Sequence, residues 1–145
     1  MLLILLVLFS TGNVDVGFRN EESLILRMDN SVVQFGIVDP VTKKAEVPSA
    51  IVMTVFSNTD WMLSCKPEGD FVSDEGEEIP IERLYYRVNG GLYKQMERDG
   101  EVIEKSGPTQ DTGERIIMDM RLQLSWEDPA GNYRARLVFT VSNIN

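Results

Sequence analysis

Five apolar side chains at every second position, Met118, Met120, Leu122, Leu124 and Trp126, alternate with Asp119, Arg121, Gln123 and Ser125. Successive side chains of an extended chain point to opposite faces, so this stretch predicts a long strand with one buried face and one solvated face. A second run, with Tyr133, Ala135, Leu137, Phe139 and Val141 facing in and Arg134 and Arg136 facing out, predicts the last strand. Glu127-Asp128-Pro129-Ala130-Gly131-Asn132 reads as the loop between them.

The rest of the chain alternates short apolar runs with turn residues and contains no long amphipathic helix. Leu24 to Leu26 and Val32 to Phe35 read as a hairpin closed by Asp29-Asn30. Pro40 and Pro48 bracket a polar link with Lys43 and Lys44, and Ala50 to Phe56 follows as a strand apolar enough for burial on both faces. After an Asn58-Thr59-Asp60 turn, Trp61, Leu63 and Cys65 share one face, which makes Cys65 a small core residue. Glu68 to Glu82 is carboxylate-rich and reads as a solvated loop. Leu84 to Val88 and Leu92 to Met96 form a hairpin about Asn89-Gly90-Gly91. Asp99-Gly100 then leads into Glu101 to Lys105, so that the middle of the chain is a meander. The expectation is an all-β fold: one antiparallel two-sheet sandwich of about eight strands over residues 13–145.

Met1 to Phe9, MLLILLVLF, is far shorter than the roughly 20 residues a membrane-crossing helix needs. With Ser10-Thr11-Gly12 after it, the segment reads as a signal peptide over residues 1–12, which makes the protein extracellular or displayed at the cell surface. No Lys or Arg precedes Arg19, and a buried first strand is the other reading. No transmembrane segment is expected.

Composition narrows the chemistry. The chain has 145 residues, no histidine, one cysteine and a net charge of −9. Histidine-based triads and His-ligated metals are excluded, and Cys65 alone makes neither an internal disulfide nor a thiolate cluster. The negative field disfavours nucleic acid as a partner. Asp70, Asp74, Glu75, Glu77 and Glu78 lack the spacing of an EF-hand loop, and Gly90-Gly91 lacks the residues of a phosphate loop. No metal, cofactor or catalytic residue is assigned. The aromatic residues Trp61, Tyr85 and Tyr93 are the candidates for ligand contact, as a platform for sugar rings; the alternative for them is cross-strand packing.

Two resemblances add to this reading. Asp128-Pro-Ala-Gly-Asn-Tyr133, opening the last strand, resembles the tyrosine corner of immunoglobulin-like domains, with Ala135 where a cysteine is usual. That implies a disulfide-free immunoglobulin-like sandwich of the kind found on bacterial surfaces, with Tyr133 bonding back to upstream backbone. Trp61-Met62-Leu63 resembles the W-x-L motif of the WxL-domain proteins of Gram-positive surfaces. Tyr133-Arg-Ala-Arg-Leu137-Val-Phe139-Thr-Val141 is similar to their distal motif, with Val138, Phe139 and Val141 departing from it and Asn145 where a proline is usual. This resemblance implies non-covalent attachment to cell-wall polysaccharide, with Trp61 and Leu63 among the site residues. The functional expectation is a non-catalytic surface module that binds the cell wall or another surface protein. The alternative is a structural subunit that forms homo-oligomers by strand addition, with Asn13 to Gly17 as donor.

Overall fold

The structure, a computed structural model, describes residues 10–39, 41–42 and 44–144. Met1 to Phe9, on which the leader and buried-strand readings rest, lie outside the described residues, as do Pro40, Lys43 and Asn145. Among the described residues no helix is long and apolar enough to cross a membrane.

Every ladder is antiparallel. The strands are β1 (Leu24–Met28), β2 (Lys44–Ser57), β3 (Trp61–Pro67), β4 (Phe71–Ser73), β5 (Glu78–Ile79), β6 (Leu84–Val88), β7 (Lys94–Gln95), β8 (Glu101–Ser106), β9 (Glu114–Gln123), β10 (Tyr133–Arg134) and β11 (Leu137–Asn143). Against an expected count of about eight, the described residues form eleven strands, because bends at turn residues cut off strands only two or three residues long. A five-stranded sheet, β1-β2-β9-β6-β7, faces a three-stranded sheet, β11-β3-β8, and a small sheet, β10-β4-β5, stands beside them. The fold is thus an antiparallel all-β sandwich.

Between the two larger sheets lie Ile51, Met53 and Val55 of β2, Trp61, Leu63 and Cys65 of β3, and Ile116, Met118 and Met120 of β9. The long alternation of β9 does form a strand with its Met118 face in the core, but only to Gln123. Beyond it the chain turns at Ser125–Asp128 and Trp126 stands 64% exposed, contrary to its expected place inside.

Other expectations are corrected. β1 pairs with β2, and Val32 to Phe35 form no strand. Asn30 is the reason: its side-chain amide donates to the carbonyl of Ala50 at 2.6 Å and its Oδ1 accepts from Val52 N–H at 3.4 Å, so it prolongs the β1–β2 ladder instead of reversing the chain. β2 buries one face only; Val52, Thr54 and Phe56 are half-buried on the other. Pro48 sits inside β2 at a bulge, where a missing N–H is tolerated. There Ser49 takes φ 48° and donates its N–H to Asp119 at 2.7 Å. The middle of the chain is not a meander, because β8 leaves the β6–β7 hairpin and joins β3 in the opposite sheet. Asn89 and Gly90 adopt the expected positive φ of 48° and 74°, yet the hairpin closes only at Tyr86 and Lys94. Part of the acidic segment is ordered into β4, β5 and a 3-10 turn, Ile81–Arg83. The last strand is split: β10 pairs with β4 and β11 with β3, leaving Ala135 exposed rather than inward.

Candidate functional site

The sequence-predicted site residues do not come together. Trp61 and Leu63 are fully buried on the inner face of β3. They serve the core, and neither side chain reaches the surface. The segments that resemble the WxL motifs lie on neighbouring strands, with Val141 opposite Leu63 and Phe139 opposite Cys65. Tyr93 is half-buried on the outer side of the five-stranded sheet, with the guanidinium carbons of Arg121 and Arg87 at 3.9 and 4.9 Å from its ring centroid. Those arginines are themselves fixed by Glu46 and Asp119, each at 2.7 Å. Tyr93 is therefore engaged within the protein. Tyr133 donates its hydroxyl to the carbonyl of Pro129 at 2.6 Å, the backward bond expected of a tyrosine corner. Asp128, beside it, accepts from Ser125 N–H at 2.7 Å and from Arg83 at 3.3 Å.

Tyr85 lines a cleft. Its outward position on β6 places it opposite Arg121 of β9 and Gln95 of β7. Pro80, Glu82, Arg83, Gln95 and Gln123 complete a shallow cleft of about 280 Å³ around it. The 3-10 turn that brings in Glu82 and Arg83 is pinned by Asp70, which accepts from Ile81 N–H at 2.9 Å. Arg98 binds Asp70 at 2.7 Å and grips both oxygens of Glu82. Arg98 and the Ile81 N–H together hold the Asp70 carboxyl below the usual carboxylate range, since both favour its charged form. Gln95 donates to the Glu82 carbonyl at 2.9 Å.

Arg83 also ties the cleft wall to Asp128, and so to the turn that carries exposed Trp126. The site thus joins an aromatic ring to amide, carboxylate and guanidinium groups held on paired backbone, and such a set can stack on an apolar sugar face while bonding to its hydroxyls.

Sequence reasoning missed Glu82, Arg83, Gln95, Gln123 and Trp126. The first four are ordinary polar residues whose convergence depends on tertiary pairing. Trp126 was findable, because Glu127-Asp128-Pro129 follows it closely enough to signal that the strand has ended. Among the described residues no three of the His, Cys, Asp and Glu side chains are grouped to hold a metal ion. No protein-family model matches the chain, and comparison with curated proteins returns no match.

Proposed function

We propose that this is a non-catalytic module of a secreted or cell-surface protein, immunoglobulin-like in kinship, that binds a cell-wall polysaccharide in the cleft at Tyr85. The observation that carries the reading is the convergence of Tyr85 with Glu82, Arg83, Gln95 and Gln123, beside a turn bearing exposed Trp126. A shallow cleft of this kind suits one or two rings of a chain ligand rather than an engulfed small molecule. Binding is favoured over glycoside cleavage because cleavage takes a pair of carboxyl groups, and the cleft lining offers Glu82, whose two oxygens are held by Arg98. The likeness to WxL-domain proteins agrees with a wall ligand, with Trp61 and Leu63 supporting the fold rather than the contact.

The test is cosedimentation with purified cell-wall polysaccharide. The protein should pellet with the polymer, and Tyr85→Ala and Trp126→Ala should each reduce the bound fraction severalfold while leaving the circular dichroism unchanged. Binding that survives the double variant would remove the cleft from consideration. The tryptophans offer a second readout, since Trp61 is buried and Trp126 exposed: polymer should change the red-shifted part of the emission alone.

A further inference from the structure

The polar groups of the Tyr85 cleft fall into two sets, those already matched within the protein and those left for a ligand. The charged groups belong to the first. Both oxygens of Glu82 are held by Arg98, at 2.8 and 2.9 Å. Arg98 also holds Asp70 at 2.7 Å, and Arg83 reaches Asp128 at 3.3 Å. Arg121, opposite Tyr85 on β9, pairs with Glu46 at 2.7 Å. Each of these guanidiniums thus faces a carboxylate, and Asp70, Glu82 and Asp128 set against Arg83 and Arg98 leave the cleft with an excess of negative charge.

The second set is uncharged. Among the described residues, neither the Tyr85 hydroxyl nor the Gln123 amide has a hydrogen-bond partner within the protein. Gln95 spends one N–H on the Glu82 carbonyl, which leaves its other N–H and its own carbonyl oxygen. Gln95 pairs with Tyr85 across β6 and β7, while Gln123 lies two residues beyond Arg121, the partner of Tyr85 on β9. Alternation keeps Gln123 on the same side of β9 as Arg121. One exposed amide therefore stands on either side of the ring.

We infer that the polymer taken by the Tyr85 cleft is uncharged, a chain of hexose or N-acetylhexosamine units without carboxylate or phosphate groups; this rests on the cleft being the binding site. A ring stacked on Tyr85 presents hydroxyl or acetamido groups at both edges, where Gln95 and Gln123 each offer a donor and an acceptor. A carboxylate or phosphate in the same place would have to draw Arg83 or Arg98 away from the carboxylates that already match them, and would meet the excess negative charge. The field of the whole chain, at −9, acts in the same direction at longer range. Salt screens that long-range part and leaves the matched pairs in the cleft in place. Discrimination against anionic polymer therefore persists in high salt, and binding of the uncharged polymer is indifferent to salt.

Purified cell-wall polysaccharide, separated by anion exchange into an uncharged pool and a pool bearing carboxylate or phosphate groups and coupled to beads, tests this with the full chain. The uncharged pool should retain the protein equally in low and high salt, and the anionic pool should retain severalfold less in both. Gln95→Ala and Gln123→Ala should each weaken retention on the uncharged pool severalfold with circular dichroism unchanged, since both side chains are solvent-facing. Glu82→Gln, which takes a carboxylate from Arg98, should raise retention on the anionic pool and make it salt-sensitive. Stronger wild-type retention on the anionic pool, lost in Tyr85→Ala, would overturn the inference and leave the cleft as the binding site, and so would wild-type retention on the uncharged pool by the double glutamine variant. Retention on the uncharged pool that survives Tyr85→Ala would remove the cleft and the inference with it, as would a protein held by neither pool.

Discussion

The hydroxyl of Tyr86 donates a 2.6 Å hydrogen bond to Oε2 of Glu101, joining β6 of one sheet to β8 of the other. Glu101 also lies 3.6 Å from Lys94 of β7. The bond matters because, among the described residues, β3 is the one strand whose backbone pairs with β8. Tyr86→Phe keeps the buried ring and removes the hydroxyl, and a hydrogen bond to a carboxylate contributes about 1.5 kcal/mol. Urea unfolding should show a lower midpoint with an unchanged slope. An unaltered midpoint would mean that packing alone holds β8.

Cys65 shares this region and should be chemically silent. Burial, with a contribution from Glu101, pushes its thiol from the ordinary 9.0 up to about 12. A thiol so placed offers almost no thiolate at neutral pH. A disulfide reagent should modify Cys65 only at the rate of unfolding, and modification as fast as that of a free thiol would contradict the buried position.

The same shift has a consequence at high pH. Burial first, and then Glu101, also raise the Tyr86 hydroxyl above its ordinary 10.0. Both groups are acids whose folded pKa exceeds the unfolded one, so the folded state binds more protons in the interval between. Their contribution is fully present below about pH 9 and is lost as pH rises toward the folded values. Stability should decline above that pH, and Cys65→Ala should flatten the decline between pH 9 and 12. A wild-type curve that is level there would refute the shift.

At low pH the sign reverses. Asp119 is held below its ordinary 3.8 by the Ser49 N–H and by Arg87, and Asp70 by Arg98 and the Ile81 N–H. Depressed carboxylates contribute stability that is present above the unfolded value and lost as pH falls below it through the folded value. Thermal stability should fall from about pH 4 downward. Asp119→Asn should be less stable at pH 7 and should show a shallower acid slope, and a slope equal to that of wild type would sink the assignment.

What could be read from the sequence was whatever depends on period. β9 and the inner face of β3 were legible because alternation over many residues has one structural meaning, and the Tyr133 bond was legible because its partner lies four residues away. Pairing was not. Asn30 looks like a turn residue, and only Ala50, twenty residues away, makes it a ladder extension. Nor could the alternation say which aromatic ring stays outside: Trp61 and Tyr85 each head an alternating run, and the facing sheet covers the first and leaves the second.

Gly113 offers the sharpest local test of the packing on the outer side of the five-stranded sheet. It enters β9 with φ +78°, and a Cβ there would lie 2.6 Å from Thr54 Cγ2 and 2.8 Å from Phe56 Cε1. Gly90, with φ +74°, has nothing within 4 Å of the same position. The two glycines thus share a backbone conformation and differ in space. Ala in the left-handed region costs about 1 kcal/mol, and overpacking adds about 1 to 3 kcal/mol. Gly90→Ala should cost only the first part, and Gly113→Ala should cost both, so that it melts several degrees lower. Equal losses in the two variants would mean that Thr54 and Phe56 give way freely, and that the outer side is softer than its cross-strand pairs Ile25–Phe56 and Thr54–Arg115 imply.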